Sequence, residues 1–316
     1  MDDSQSAESP EERRGLPSAP TLEAQDARIV VGDTTVMTGL SLQTRGDRVL
    51  LVGSAEALVA AIIGVPGRPR GDGPDPPARV VDGSLRVGGA EVATGEHVAR
   101  CGVAPLEPLV PPGWSVQEYL GWGARLGGVS KGETKALAHR ALERLGLGAL
   151  RRRRLRTLDR LERRGVTLAL AIVRDPLVIV VDDPLASLDD DEVTAALTVM
   201  AAAAEGRAAI IAVPQLTAPS PAAHLARTAT DVCLFRGGEL VLTAEPARLF
   251  GAATIYEVTV KEGGEALRRA LAERGLDLRG GPEHFSVSLP GDRGTSDVLA
   301  AAAEARAAVT SCVPLL

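Results

Sequence analysis

Short runs of consecutive apolar residues alternate with stretches of three-to-four-residue periodicity through the first 250 positions. DRVLLVG at 47–53 is a continuous apolar run closed by glycine, the pattern of a strand buried on both faces. ALVAAIIG at 57–64 predicts the start of a helix behind it, and ARIVVGD at 27–33 an earlier strand. Residues 66–83 are dense in proline and glycine and are expected to form a surface loop, followed by a hairpin in GSLRVGGAEV. Residues 115–150 and 157–173 read as helical; the first contains the amphipathic stretch ETKALAHRALERLGLGAL. LVIVV at 177–181 is an apolar, β-branched strand that runs into Asp182 and Asp183, before a helix at 190–204 and the strand AAIIAV at 208–213. Alternation of this kind predicts an α/β fold, a largely parallel sheet covered by helices.

The texture changes after Gly251. TIYEVTV and HFSVSLP alternate as strands, and GEALRRALAERG and SDVLAAAAEARAAV are helical, so residues 251–316 are expected to form a small, separate β-α-β-α domain. At the other end, residues 1–26 are rich in Ser, Pro, Glu and Asp without periodicity and are expected to be a disordered tail. The main domain is expected at 27–250. No run reaches the ~18 apolar residues of a membrane span, and the polar, acidic start is unlike a secretory signal. A cytoplasmic chain is expected, peripheral to the inner face of the membrane through a partner.

Composition narrows the chemistry. A net charge of −6 argues against nucleic acid as a partner. Aromatics are 2% of the chain, so the core must be built from Ala, Val, Leu and Ile. Cys101, Cys233 and Cys312 lie far apart, match no metal-ligand spacing and are expected as buried thiols. His97, His139, His224 and His284 have no companion at ligand spacing. Lys131, Lys135 and Lys261 are the only lysines among 35 basic residues, a bias that lowers the weight of any arginine cluster, the run Arg151–Arg154 included.

Five landmarks, in order and at roughly the expected spacing, resemble the ATPase domain of ABC transporters. GDRVLLVG at 46–53 resembles the strand that enters the phosphate loop. The segment 102–128 ends in a helix whose start, Ser115, Val116, Glu118 and Leu120, resembles the family's T-V-x-E-x-L pattern. LDRLERRGVTLALAIVRDPLVIVVDDPLASLDD at 158–190 is the most specific, resembling signature helix, Walker B strand and D-loop in succession. AAIIAVPQ at 208–215 stands in place of the switch-histidine strand, and 231–250 resembles the closing hairpin and helix. The resemblance covers about 27–250. It implies a P-loop NTPase-like ABC ATPase domain with an antiparallel β subdomain and a helical subdomain, and the α+β C-terminal unit resembles the appendage of exporter-type members.

The chemical positions depart from that family. A phosphate loop needs glycines, so that backbone amides converge on phosphate, and a lysine to neutralise it. Gly53 and Ser54 are in place, but Leu58 stands for the second glycine, Val59 for the lysine and Ala60 for the Ser/Thr. No lysine precedes Lys131, and Glu56 sets a negative charge where triphosphate belongs. Val31 replaces the adenine-stacking aromatic, Leu106 the magnesium-sensing glutamine and Gln215 the switch histidine. The signature pattern becomes Leu158-Asp159-Arg160-Leu161-Glu162, in which Asp159 and Glu162 would repel a γ-phosphate. Asp182 keeps the place of a magnesium ligand, Asp183 that of the general base one methylene short, and Ser187, Leu188 and Asp189 that of a D-loop contact to a second subunit.

In the family, each ATP lies between one subunit's phosphate loop and the other's signature, and here both halves are altered. The resemblance therefore implies a non-hydrolysing subunit that needs no cofactor. It would dock an integral membrane permease, an intact ABC ATPase subunit or a second copy of itself. A weak residual ATPase using ATP and Mg²⁺, and a soluble scaffold with no transport role, are the alternatives.

Overall fold

The computed structural model describes residues 19–64, 76–106, 108, 111–215, 221–246, 254–290 and 293–314. Two β-sheets trap a short helix between them. The first sheet is antiparallel, in the order β2-β1-β4-β5, from β1 (Leu22–Val31), β2 (Thr34–Gln43), β4 (Ala78–Val87) and β5 (Ala90–Glu91). The second has the order β10-β9-β3-β8-β7-β6. In it β3 (Arg48–Gly53), β6 (Cys101–Ala104), β7 (Val178–Asp182), β8 (Ala208–Val213) and β9 (Asp231–Arg236) run parallel, with β10 (Glu239–Ala244) antiparallel at the edge. Helix α1 (Glu56–Ile63) packs in one core with both sheets; Leu58, Val59, Ala60, Ala61 and Ile62 are all buried. A helix apolar on every side is stable only when enclosed in this way.

A second core fills the other face of the parallel sheet, beneath α2 (Val116–Leu126), α3 (Thr134–Arg144), α4 (Arg160–Ile172), α5 (Asp190–Ala204) and α6 (Pro221–Thr228). Helix α4 presses on β6 so closely that a Cβ at Gly102 would lie 1.8 Å from the carbonyl of Ala171.

Residues 254–314 form a third core of their own. Here β11 (Thr254–Glu262), α7 (Gly264–Glu273), β12 (Asp277–Gly280), β13 (His284–Leu289), α8 (Thr295–Glu304) and β14 (Ala308–Pro314) follow in sequence. The antiparallel sheet order β12-β13-β11-β14 makes this a split β-α-β unit of ferredoxin-like topology. It is fastened to the parallel sheet where Arg236, ending β9, donates Nη2–H to Glu257 Oε2 at 2.6 Å.

Several expectations need correction. The first strand begins at Leu22, inside the segment expected to be tail, and residues 1–18 lie outside the described part. The Pro/Gly-rich stretch is loop-like only by composition at its end, since residues 78–83 already belong to β4; residues 65–75 are outside the described part. The expected helix 115–150 is two helices broken at residues 127–133. The last unit is β-α-β-β-α-β, not β-α-β-α, because Asp277–Gly280 and Ala308–Pro314 are also strands. The closing helix expected near 246–250 falls mostly on residues outside the described part.

Candidate functional site

Parallel strands bring their carboxyl ends to one edge of a sheet, where ligands of open α/β folds bind. At that edge Gly53 ends β3, Gln215 follows β8, Asp182 ends β7 and Leu106 follows β6. The ladder is β3-β8-β7-β6, with Val52 opposite Val213 and Asp182 opposite Ala212. The structure thus gathers the phosphate-loop, switch, Walker B and glutamine positions at one place.

The turn after β3 is only Gly53-Ser54-Ala55 before α1 begins. Ser54 N–H donates to Phe235 O at 3.1 Å and Ala55 N–H to Gly53 O at 2.8 Å. Ser54 Oγ accepts from Gly237 N–H at 3.1 Å. Gly53 has φ of +89°, and a Cβ there would lie 2.1 Å from Phe235 O. The turn is closed against β9 by its own hydrogen bonds, so its amides do not converge on open space. Leu58, Val59 and Ala60, at the positions of glycine, lysine and hydroxyl, are 0%, 2% and 7% exposed and point into the core. Glu56 is the exposed residue of the first helical turn. Residues so arranged do not fit a triphosphate.

Helix α4 starts at the signature position. Asp159 is its N-cap and accepts from Glu162 N–H at 2.8 Å, while Glu162 Oε2 accepts from Asp159 N–H at 3.0 Å. A helix N-terminus offers unpaired amides and a positive dipole end to an anion; here the chain's own carboxylates take that place. Glu162 also pairs with Arg153, and Arg160 donates to the carbonyl of Ser187. Arg164 Nη1–H reaches Leu106 O at 2.6 Å, so the residue in the glutamine position is held by its backbone. The D-x-x-E spacing at 159–162 is itself a capping-box pattern. That structural signal lies in the same residues read from sequence only as repulsive.

The turn after β7 is held by backbone hydrogen bonds. Asp183 is buried with φ of +41°; its N–H donates to Ala212 O at 2.9 Å and its carbonyl accepts from Ala186 N–H at 3.2 Å. Ser187 is also left-handed, at φ +58°. Two non-glycine residues in that region mark a strained turn of the kind that concentrates at functional sites. Asp189 caps α5 through a second capping box with Glu192, accepting from its N–H at 2.9 Å. Asp182 and Glu162 border a mainly apolar cavity of about 260 Å³ between β7, α4 and α5. Among the described residues no group of three or more potential ligands could hold a metal ion. No helix of the described residues is long and apolar enough to cross a membrane.

The order of these turns, the two sheets and the helical layer define the fold of an ABC ATPase domain, a P-loop NTPase-like α/β architecture. Among solved structures the chain is similar to cbiO1 from Clostridium perfringens, part of the ABC transporter complex cbiONQ. The two share 17% identity at a TM-score of 0.56, over 73% of this chain and 91% of that one. The ADP conformation of MJ1267, an ATP-binding cassette of an ABC transporter, is likewise similar (16% identity, TM-score 0.56, 72% and 92% covered). In sequence the chain is similar to ABC transporter ATP-binding proteins. The sn-glycerol-3-phosphate import ATP-binding protein UgpC of Cupriavidus metallidurans is 29% identical over 171 residues, 50% of this chain and 41% of the relative. UgpC of Escherichia coli K12 is 34% identical over 113 residues, 35% and 32% of the two chains. The matched stretch therefore spans less than half the length of these curated relatives. No family model matches the chain.

Proposed function

We propose that the chain is an ABC transporter ATP-binding-protein-like subunit that no longer hydrolyses ATP and serves to dock a membrane permease, a related ATPase subunit, or both. The closed turn at 53–55 carries this reading: both its following amides are spent within the protein, and the lysine position is core. Neither ATP nor Mg²⁺ is then needed for the fold. The self-capped α4 supports the same conclusion for a site shared with a second subunit. Docking is supported by a groove of about 180 Å³ between α2, α4 and residues 97–103. Val98, Trp122 and Leu126 at its rim are 57%, 39% and 68% exposed, more apolar surface than a lone hydrophobic residue leaves in water. A permease segment of apolar character would cover them and hold the chain at the inner face of the membrane.

The test is thermal melting of the full chain with millimolar ATP, with and without Mg²⁺. No Mg²⁺-dependent rise is expected, and Asp182→Asn should leave the nucleotide response unchanged. A Mg²⁺-dependent stabilisation lost in that variant would establish the residual ATPase instead. Leu126→Glu should reduce co-purification with a co-expressed permease; unchanged recovery would remove the docking role.

A further inference from the structure

The arginine run at 151–154 is clamped by its backbone. Val116 N–H and Gln117 N–H, two of the first amides of α2, donate to Arg153 O and Arg151 O at 3.0 Å each, and Leu155 N–H donates to Trp114 O at 2.9 Å. This staple fixes where the arginine side chains leave the chain. Arg153 turns to Glu162 and to the carbonyl of Thr157. Arg151, Arg152 and Arg154 instead line a groove of about 770 Å³, whose other walls include Lys135, His139, Gln117 and Glu118.

Charge in that groove is unbalanced. Among the described residues, four permanent cations face one carboxylate. Glu118 is already engaged by Ser115, accepting from its N–H at 2.6 Å and its Oγ–H at 2.7 Å. Those bonds, with Arg154 nearby, hold its pKa below the usual carboxylate value. Arg154 is partly satisfied by Gly113 O at 2.7 Å and by Glu118 at 3.6 Å. His139 lies against Glu143 at 3.5 Å. Among the described residues, Lys135, Arg151 and Arg152 make no side-chain hydrogen bond or ion pair, and Arg151 is half-buried. Like charges converging on a concavity repel one another, and an anion relieves that repulsion. Guanidinium groups bind phosphate through paired N–H donors, which suits clustered phosphates better than a single carboxylate.

We propose that this groove binds a compact anion carrying clustered phosphate groups, held by Lys135, Arg151 and Arg152. The site is separate from the turn after β3, is formed by side chains rather than backbone amides, and needs no Mg²⁺. The concave shape, with cations on more than one wall, favours a multiply charged head over an extended flat surface.

Calorimetric titration of the full chain with inorganic tripolyphosphate, in low salt and without Mg²⁺, is the test. Saturable binding is expected, lowered about tenfold or more in Arg151→Gln/Arg152→Gln and weakened by added salt. Two controls keep this specific: Arg156→Gln, an exposed arginine of the same run outside the groove, and Glu56→Ala at the turn after β3 should each bind like the parent. A parallel flotation assay with phosphatidic acid vesicles separates a free oligophosphate from a lipid headgroup; sensitivity to the double variant in either assay supports the site. No binding in both assays overturns it. So does equal binding by the double variant, or an equal loss in Arg156→Gln, once circular dichroism shows the variants folded.

Discussion

The starts of α1 and α4 stand at the two places that the resemblance assigns to nucleotide in an ABC ATPase, and the chain itself fills each in a different way. At α1 the closure is one of packing: a three-residue turn bonded to Phe235 delivers positions 58–60 straight into the core. At α4 it is one of chemistry: the helix end is exposed, and Asp159 and Glu162 fill it. The first closure is woven into the stability of the whole domain, whereas the second is a local substitution of the chain's own anions for a foreign one.

The largest effect is expected from restoring the missing cation. Val59→Lys buries an ammonium in an apolar core and should cost about 4 kcal/mol, read as a lower denaturant midpoint, with no gain in ATP affinity. A variant that kept its stability and bound Mg²⁺-ATP would show that the α1 turn opens readily and would erase the contrast. At α4, Asp159→Ala should cost about 1 kcal/mol through loss of the cap, while Asp159→Ser, which can still cap, should lie within about 0.5 kcal/mol of the parent. Equal losses in both would mean that the charge, not the cap, matters there.

The smallest effect uses two thiols buried in the core around α1. Cys233 lies opposite Leu51 of β3, and Cys101 begins β6. Burial pushes both up to about 12 from the ordinary 9.0, so each stays protonated in the folded protein. Native-state alkylation at pH 8 should label the half-buried Cys312 first and leave the other two unmodified. Unfolding frees the thiols to ionise at their ordinary value, so the unfolded chain holds fewer protons above pH ~9 and stability falls as pH rises from there toward ~12. Fast labelling of Cys101 alone would show the β6 edge of the α1 core opening without the β9 side.

Much of this architecture was legible in the sequence where strands are buried on both faces. LVIVV and VLLVG read as strands and form β7 and β3, with Asp182 ending β7 and Asp189 capping α5. Strands exposed on one side were harder. Thr34–Gln43 and Asp277–Gly280 carry little apolar signal, and Ala308–Pro314 follows an alanine run that reads as continued helix. At the site, the sequence showed which residues depart from the family pattern but not where they turned. The partnership of Ser54 with Phe235 and that of Arg160 with Ser187 join residues far apart in the chain, and no spacing rule reaches them.

Strand β3 sits between β8 and β9, so an early segment is flanked on both sides by strands made much later, with Val49 opposite both Ile210 and Asp231. During synthesis this apolar ribbon must wait, uncovered, until those distant strands leave the ribosome. Pairings of such long range are slow and expose sticky edges meanwhile. On the proposed reading, in which no nucleotide organises the neighbouring turn, folding yield in the cell should depend on chaperone supply more than on ATP-site occupancy.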